Sequence, residues 1–215
     1  MPILTDLTRR SQLRLGAALR AKVAGDDAVD RAQTIWGRSG ERWFTPDDPV
    51  WRVHADASMF SGGVAALLLQ SLHPLAMAGV AGHSGYQGDP WGRLQRTSHF
   101  LATTTFGTVD DAEAAIARVR GIHERVRGRD PQGRPYQASD PRLLRWVHVA
   151  EAHSFLTAHQ RYAVEPLAAD EADRYVEQSA VVAGRLGATD LPLTVAELAV
   201  ALAAYRPATT ADCST

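Results

Sequence analysis

Cysteine is almost absent from this chain of 215 residues. Cys213, the third residue from the end, is the only one. A single cysteine excludes a disulfide framework and a metal site built from several thiolates. The first residues, MPILTDLTRRSQLRL, lack the apolar core and small-residue cleavage site of a secretory signal. We therefore expect a chain of the reducing cytoplasm.

Net charge is also small, at −1 for the whole chain. No overall field draws such a protein to nucleic acid or to an anionic membrane. One basic segment, from Arg118 to Arg134, is interrupted by Glu124 and Asp130. We interpret it as a solvated helix face and loop, and we expect no nucleic-acid partner. The sequence carries no feature that fixes an oligomeric state.

Strand signals are weak, because the chain has no sustained alternation and no Asn-Gly or Asp-Gly turn. Helix signals are frequent, and they predict an all-α fold of about seven or eight helices in one domain, residues 1–215. Residues 207–215 are expected to form a frayed tail. The expected helices are 6–24, one starting at Pro49, 58–70, 91–106, 111–127, 141–162, 167–186 and one from 194 to about 206.

The longest uncharged apolar segment, Met59–Val80, has the length of a membrane span. Gly62-Gly63, Gln70 and His73-Pro74 interrupt it, and no basic flank follows. A helix that is apolar on every side is also typical of the centre of a large helical domain. We expect a buried core helix, ended or kinked at Pro74, and no membrane span.

His123 lies on the apolar stripe of an otherwise charged helix. The stripe runs Ala112, Ile116, Val119, His123 and Val126, in steps of four, three, four and three. A buried imidazole without a partner costs about 1–3 kcal/mol, so it must find one. A backbone carbonyl, a water molecule or a metal ion would each serve.

Most other catalytic constellations are missing. His148, His153 and His159 are spaced five and six apart, which does not place two imidazoles on one helical face for zinc. A Gly-x-Ser-x-Gly nucleophile motif and a glycine-rich phosphate loop are absent. The sequence also suggests few buried acids. A haem iron, by contrast, needs only one imidazole from a helix.

Haem propionates are held by arginine or hydroxyl groups. Arg93 and Thr97 are four residues apart and share a helix face, with Arg96 beside them. On these residues alone, a lone helical histidine is more often a satisfied core residue than a ligand.

An ordered set of short motifs favours the ligand over the core residue. In these motifs the chain resembles the MpaB-type oxygenases, whose domain is shared with the latex-clearing rubber oxygenases. The resemblance covers about residues 45–187. It implies an all-α, globin-related core that holds b-type haem and uses O₂ to oxidise a hydrophobic, isoprenoid-like small molecule. The motifs are His73-Pro, Gly79-Val-Ala-Gly-His83-Ser, Arg93-Leu-Gln-Arg96-Thr97, Phe106-Gly107, Arg118-Val-Arg-Gly-Ile-His123, Val126-Arg-Gly128, Tyr136-Gln-Ala-Ser-Asp140-Pro and Trp146-Val-His148.

Carried over residue by residue, the resemblance implies that His123 is the proximal iron ligand. Arg93 and Thr97 match the family's Arg-x-x-x-Thr pair, which holds the cofactor or orients oxygen, and Arg96 matches its basic position. His83 and His148 also fall in family motifs, and we interpret them as packing or loop-capping histidines. Trp146 is interpreted as a core residue.

The chain departs from the rubber-cleaving members at one point. The resemblance implies an acid/base glutamate upstream of the Arg-x-x-x-Thr pair, but no glutamate occurs between Glu41 and Glu113. We therefore do not expect polyisoprene cleavage by that route. The leading hypothesis is a haem-dependent oxygenase. The alternatives are a non-catalytic carrier of haem or a lipophile, and a helical interaction module.

Overall fold

Helices make up nearly all of the regular structure in the computed structural model, which describes residue 25 and residues 28–83 and 88–205. The all-α prediction is confirmed, with nine helices and one two-stranded sheet in these residues. The expected helix 6–24 and the tail 207–215 lie outside them. The elements are α1 (Ala28–Gly37), α2 (Pro49–Ala55), α3 (Met59–Ser71), α4 (Pro74–His83), α5 (Pro90–Phe106), α6 (Val109–His123), β1 (Arg127–Arg129), β2 (Pro135–Gln137), α7 (Pro141–Tyr162), α8 (Ala169–Leu186) and α9 (Val195–Ala204).

Aspartate followed by proline starts three of these helices, as at Asp140-Pro141, where Asp140 Oδ1 accepts a hydrogen bond from Arg142 N at 2.8 Å. Asp48 occupies the predicted cap position of α2, but its side chain does not cap that helix. It accepts hydrogen bonds from Thr45 N at 2.7 Å and Gln178 Nε2 at 2.6 Å instead. Asp48 therefore ties the start of α2 to α8.

The apolar segment 59–80 contains two helices, and the predicted break at Pro74 is confirmed. α3 ends at Ser71 and α4 begins at Pro74, and their axes differ by 104°. The expectation of a buried helix is wrong for one face of α3, where Val64 is 59% exposed and Leu68 66%. Gly62 and Ala66 are buried, and an apolar composition on every side could not indicate which face packs. No single helix among the described residues is long and apolar enough to cross a membrane.

The predicted helix 111–127 ends four residues early, at His123. Residues 128–137, expected as a loop, belong to a hairpin in which Gly128 pairs with Tyr136. Tyr136 also lies against Gly79 and Gly82 of α4. An added Cβ at Gly128 would lie 2.6 Å from the Tyr136 hydroxyl oxygen, so glycine permits this close approach.

The long helix α7 runs through the core and packs on α3, α8 and α9. Gly62 of α3 approaches α7 so closely that an added Cβ would lie 3.0 Å from Phe155 Cα. Trp146 is 1% exposed, and its Nε1 donates a hydrogen bond to Gln70 O at 3.2 Å. The largest buried cluster combines residues of α2, α7, α8 and α9. This framework leaves a cavity among helices α2 to α8.

Candidate functional site

A cavity of about 690 Å³ lies among helices α2 to α8. Most of its wall is aliphatic or aromatic, which is typical of a site for a lipophilic molecule. All four sequence-predicted site residues, separated by up to 30 positions, contribute to its lining: Arg93, Arg96, Thr97 and His123. The fold therefore brings together the residues that the motifs singled out, although their chemical roles stay predictions.

His123 is the last residue of α6. Its Nδ1 is buried and has no hydrogen-bond partner among the described residues. Burial lowers the pKa of the imidazole below its ordinary value, because desolvation disfavours the charged ring. A neutral imidazole is the form that coordinates a metal ion.

Arg93, Arg96 and Thr97 lie on the first turns of α5, which begins at Pro90. Thr97 Oγ1 donates a hydrogen bond to Arg93 O at 3.1 Å, so the hydroxyl is already engaged with its own helix. Arg96 is exposed, and its Nη1 lies 3.5 Å from Asp89 Oδ2. Since exposed ion pairs contribute little, this contact leaves Arg96 able to pair with another anion at the cavity rim.

His83 and His148 also line the cavity. The His83 ring centroid lies 6.2 Å from that of Tyr136. His148 is buried, and its Nε2 has no partner in the described part of the chain. Burial, with Arg145 as a second cause, lowers the pKa of His148 to about 4. The interpretation of both rings as packing or loop-capping groups stays a prediction.

The cavity contains a carboxyl group that the sequence reasoning missed. Glu151 of α7 lines it, and Gln70 Nε2 donates a hydrogen bond to Glu151 Oε1 at 3.2 Å. Burial raises the pKa of Glu151 to about 7, because one neutral donor compensates only part of the cost of burying the charge. The expectation of few buried acids is compatible with this single residue, but the sequence reasoning did not name it.

Two further polar side chains line the cavity beside the carboxyl group of Glu151. Tyr175 is 0% exposed, and its hydroxyl has no partner among the described residues. His54 Nδ1 lies 2.8 Å from Thr105 Oγ1, and its ring centroid is 6.1 Å from that of Tyr175. Burial lowers the pKa of His54 to about 4 and raises that of Tyr175 above its ordinary value, with Glu151 adding to the latter shift.

A signal for Glu151 was present in the sequence. Leu144, His148, Glu151 and Phe155 follow steps of four, three and four, which is the same apolar-stripe pattern that identified His123. Testing α7 only for pairs of histidines left the carboxylate on this stripe unnoticed. Tyr175 and His54 carried no comparable signal, since aromatic residues on a buried helix face are ordinary core residues.

The donor set fits a porphyrin better than a bare metal ion. In the described residues, no three or more histidine, cysteine, aspartate or glutamate side chains are grouped to hold a metal. A metal bound at His123 must therefore bring most of its ligands with it, as haem iron does. The arginines at the cavity supply the positive charge that haem carboxylates require.

Comparisons with known proteins agree with the family that the sequence motifs resemble. The chain matches the family model described as "ER-bound oxygenase mpaB/B'/Rubber oxygenase, catalytic domain" over residues 51–215. No curated protein and no solved structure matches the chain. The family match covers well over half of the chain and confirms the resemblance seen in the motifs. The chain belongs to the mpaB and rubber oxygenase catalytic-domain family and is an oxygenase.

Proposed function

We propose that this oxygenase holds a b-type haem at His123 and uses O₂ to oxidise a lipophilic small molecule. The observation that carries the proposal is the position of His123: its neutral imidazole lies at the wall of a largely apolar cavity whose lining also contains Arg93, Arg96 and Thr97. Haem bound there would supply an iron that binds and activates O₂.

Four residues of the chain hold the cofactor in this proposal. His123 is the proximal ligand, and Arg93 and Arg96 pair with the carboxylates of the cofactor. Thr97 fixes the Arg93 segment through its bond to Arg93 O. These roles agree with the motif positions and with the shared cavity.

The apolar wall selects the substrate by excluding water. Leu67, Leu75, Val80, Leu94 and Phe100 all line the cavity. Such a surface gains about 25 cal/mol for each Å² of apolar ligand surface that it removes from water. A lipophilic substrate is therefore favoured over a charged metabolite.

Membership in an oxygenase family weighs against the two non-catalytic alternatives, the carrier and the interaction module. Cleavage of polyisoprene by an upstream glutamate is not proposed, because that glutamate is missing from the sequence. The carboxyl group available at the cavity is Glu151.

The test is the absorption spectrum of the purified protein, with haem added if none copurifies. We expect a Soret band that His123→Ala abolishes or shifts. His99→Ala is the matched control, because His99 is an exposed imidazole of α5 that does not line the cavity. Circular dichroism checks that both variants fold. A folded protein that stays colourless after haem addition would refute the proposal.

A further inference from the structure

We infer that Glu151, Tyr175 and His54 form a binding site for a neutral, oxygen-bearing head group, so that the substrate is a lipophile with one hydroxyl or carbonyl end and not a pure hydrocarbon. The inference rests on the proposed oxidation of a lipophilic molecule in this cavity and specifies the class of that molecule. It starts from hydrogen-bonding groups that the protein itself leaves unsatisfied.

Tyr175 provides the first observation. Its side chain is fully buried, lines the cavity, and has a hydroxyl with no partner among the described residues. Buried hydroxyl groups are nearly always hydrogen-bonded, and an unpaired one costs about 1–3 kcal/mol. Phenylalanine would fill the same space without that cost. In our inference, a head group that enters this part of the cavity supplies the missing partner of the hydroxyl.

Glu151 and His54 provide the second observation. Gln70 donates to Glu151 Oε1, and no described residue donates to Oε2. His54 uses Nδ1 for Thr105, and its Nε2 is buried without a partner in the described chain. The ring of His54 lies 6.1 Å from that of Tyr175, and Glu151 is near enough to the phenol to raise its pKa. Three side chains from α2, α7 and α8 thus offer unused hydrogen-bonding capacity in one part of the cavity.

The charge state of this cluster selects a neutral head group. Near pH 7 the imidazole and the phenol are uncharged, and the carboxyl group is about half protonated because its pKa is about 7. A carboxylate head would place a second acid beside Glu151, which raises the free energy of both charged forms. A hydroxyl or carbonyl oxygen accepts from Tyr175 and from protonated Glu151 without burying a charge.

The experiment measures the affinity of the purified full-length protein for benzyl alcohol, toluene and benzylamine by isothermal titration calorimetry. These three probes share one ring and differ in the head group. We expect Tyr175→Phe to weaken benzyl alcohol binding about tenfold, the loss of one good hydrogen bond, and to leave toluene within about twofold. Glu151→Gln should weaken benzyl alcohol in the same direction. Tyr162→Phe is the control, because Tyr162 is exposed and lies outside the cavity lining.

Three results would overturn the inference. Equal weakening of toluene in Tyr175→Phe would assign the tyrosine a packing role only. Unchanged benzyl alcohol affinity in both cavity variants would remove the head-group site. Benzylamine binding that is tightest and lost in Glu151→Gln would assign a cationic head group instead.

The outcome is separable from that of the haem proposal. A protein without a Soret band whose benzyl alcohol affinity still depends on Tyr175 would refute the haem proposal and retain the head-group site. A protein with a His123-dependent Soret band, whose benzyl alcohol affinity does not depend on Tyr175, would retain the haem proposal and refute the head-group site.

Discussion

Glu151 is expected to make the stability of this protein depend on pH in a direction that is unusual for a carboxyl group. Burial raises its pKa in the folded protein from 4.5 to about 7. The folded state therefore holds a proton that the unfolded state releases. The stabilisation is fully present below about pH 4.5 and is lost as the pH rises through about 7.

The magnitude follows from the size of the shift. Each pKa unit corresponds to about 1.4 kcal/mol. Between about pH 5 and about pH 8, a group with these two pKa values loses about 2.5 kcal/mol of folding free energy. The buried histidines act in the opposite direction, because their lowered pKa values destabilise the folded state as the pH falls. The difference between the wild-type protein and Glu151→Gln cancels their contribution.

Urea unfolding of both proteins across this pH range, at one fixed cofactor content, measures that difference. We expect the free energy of unfolding of the wild-type protein to fall by about 2.5 kcal/mol relative to Glu151→Gln as the pH rises. Glu177→Gln, which alters an exposed glutamate of α8, should run parallel to the wild type. A constant difference between wild type and Glu151→Gln would show that the carboxyl group is solvated and would refute the reasoning.

Two neighbouring glycines of α3 should respond oppositely to alanine in thermal unfolding. Gly62→Ala should destabilise by about 1–3 kcal/mol, because the new Cβ meets the Phe155 backbone at 3.0 Å. Gly63→Ala should be neutral or stabilising by up to about 1 kcal/mol, because its added Cβ would lie 3.7 Å from the nearest atom, in the Phe155 ring. Equal changes in stability in the two variants would refute the close packing of Gly62 on α7. Gly187→Ala should cost about 1–2 kcal/mol, since its φ of 110° ends α8 in a left-handed conformation. Unchanged stability in that variant would exclude this backbone geometry.

Helix boundaries could be predicted from the sequence where residues within one turn determine them. Proline at the first helical position and glycine at a helix end act within one turn, so Pro141 and Gly187 marked the start of α7 and the end of α8. The break at Pro74 was predicted for the same reason. Nothing local indicated the angle of 104° between α3 and α4, which tertiary packing sets.

The candidate site was predicted in part. A histidine on an apolar stripe identified His123, and the motif set added the α5 residues that line the same cavity. Glu151 lies on a comparable apolar stripe of α7, and it was missed because that helix was tested only for pairs of histidines. The exposed face of α3 could not be predicted either. The helix is apolar on every side, so its composition does not indicate which face packs against the core.

The claim that His123 holds a haem iron is tested most directly by chemical rescue. His123→Gly removes the imidazole and leaves space for a free one beside the metal. We predict that purified His123→Gly with added haem lacks the resonance Raman iron–histidine signature of the wild type, and that free imidazole restores it. A wild-type signature that persists unchanged in His123→Gly without imidazole would contradict the assignment.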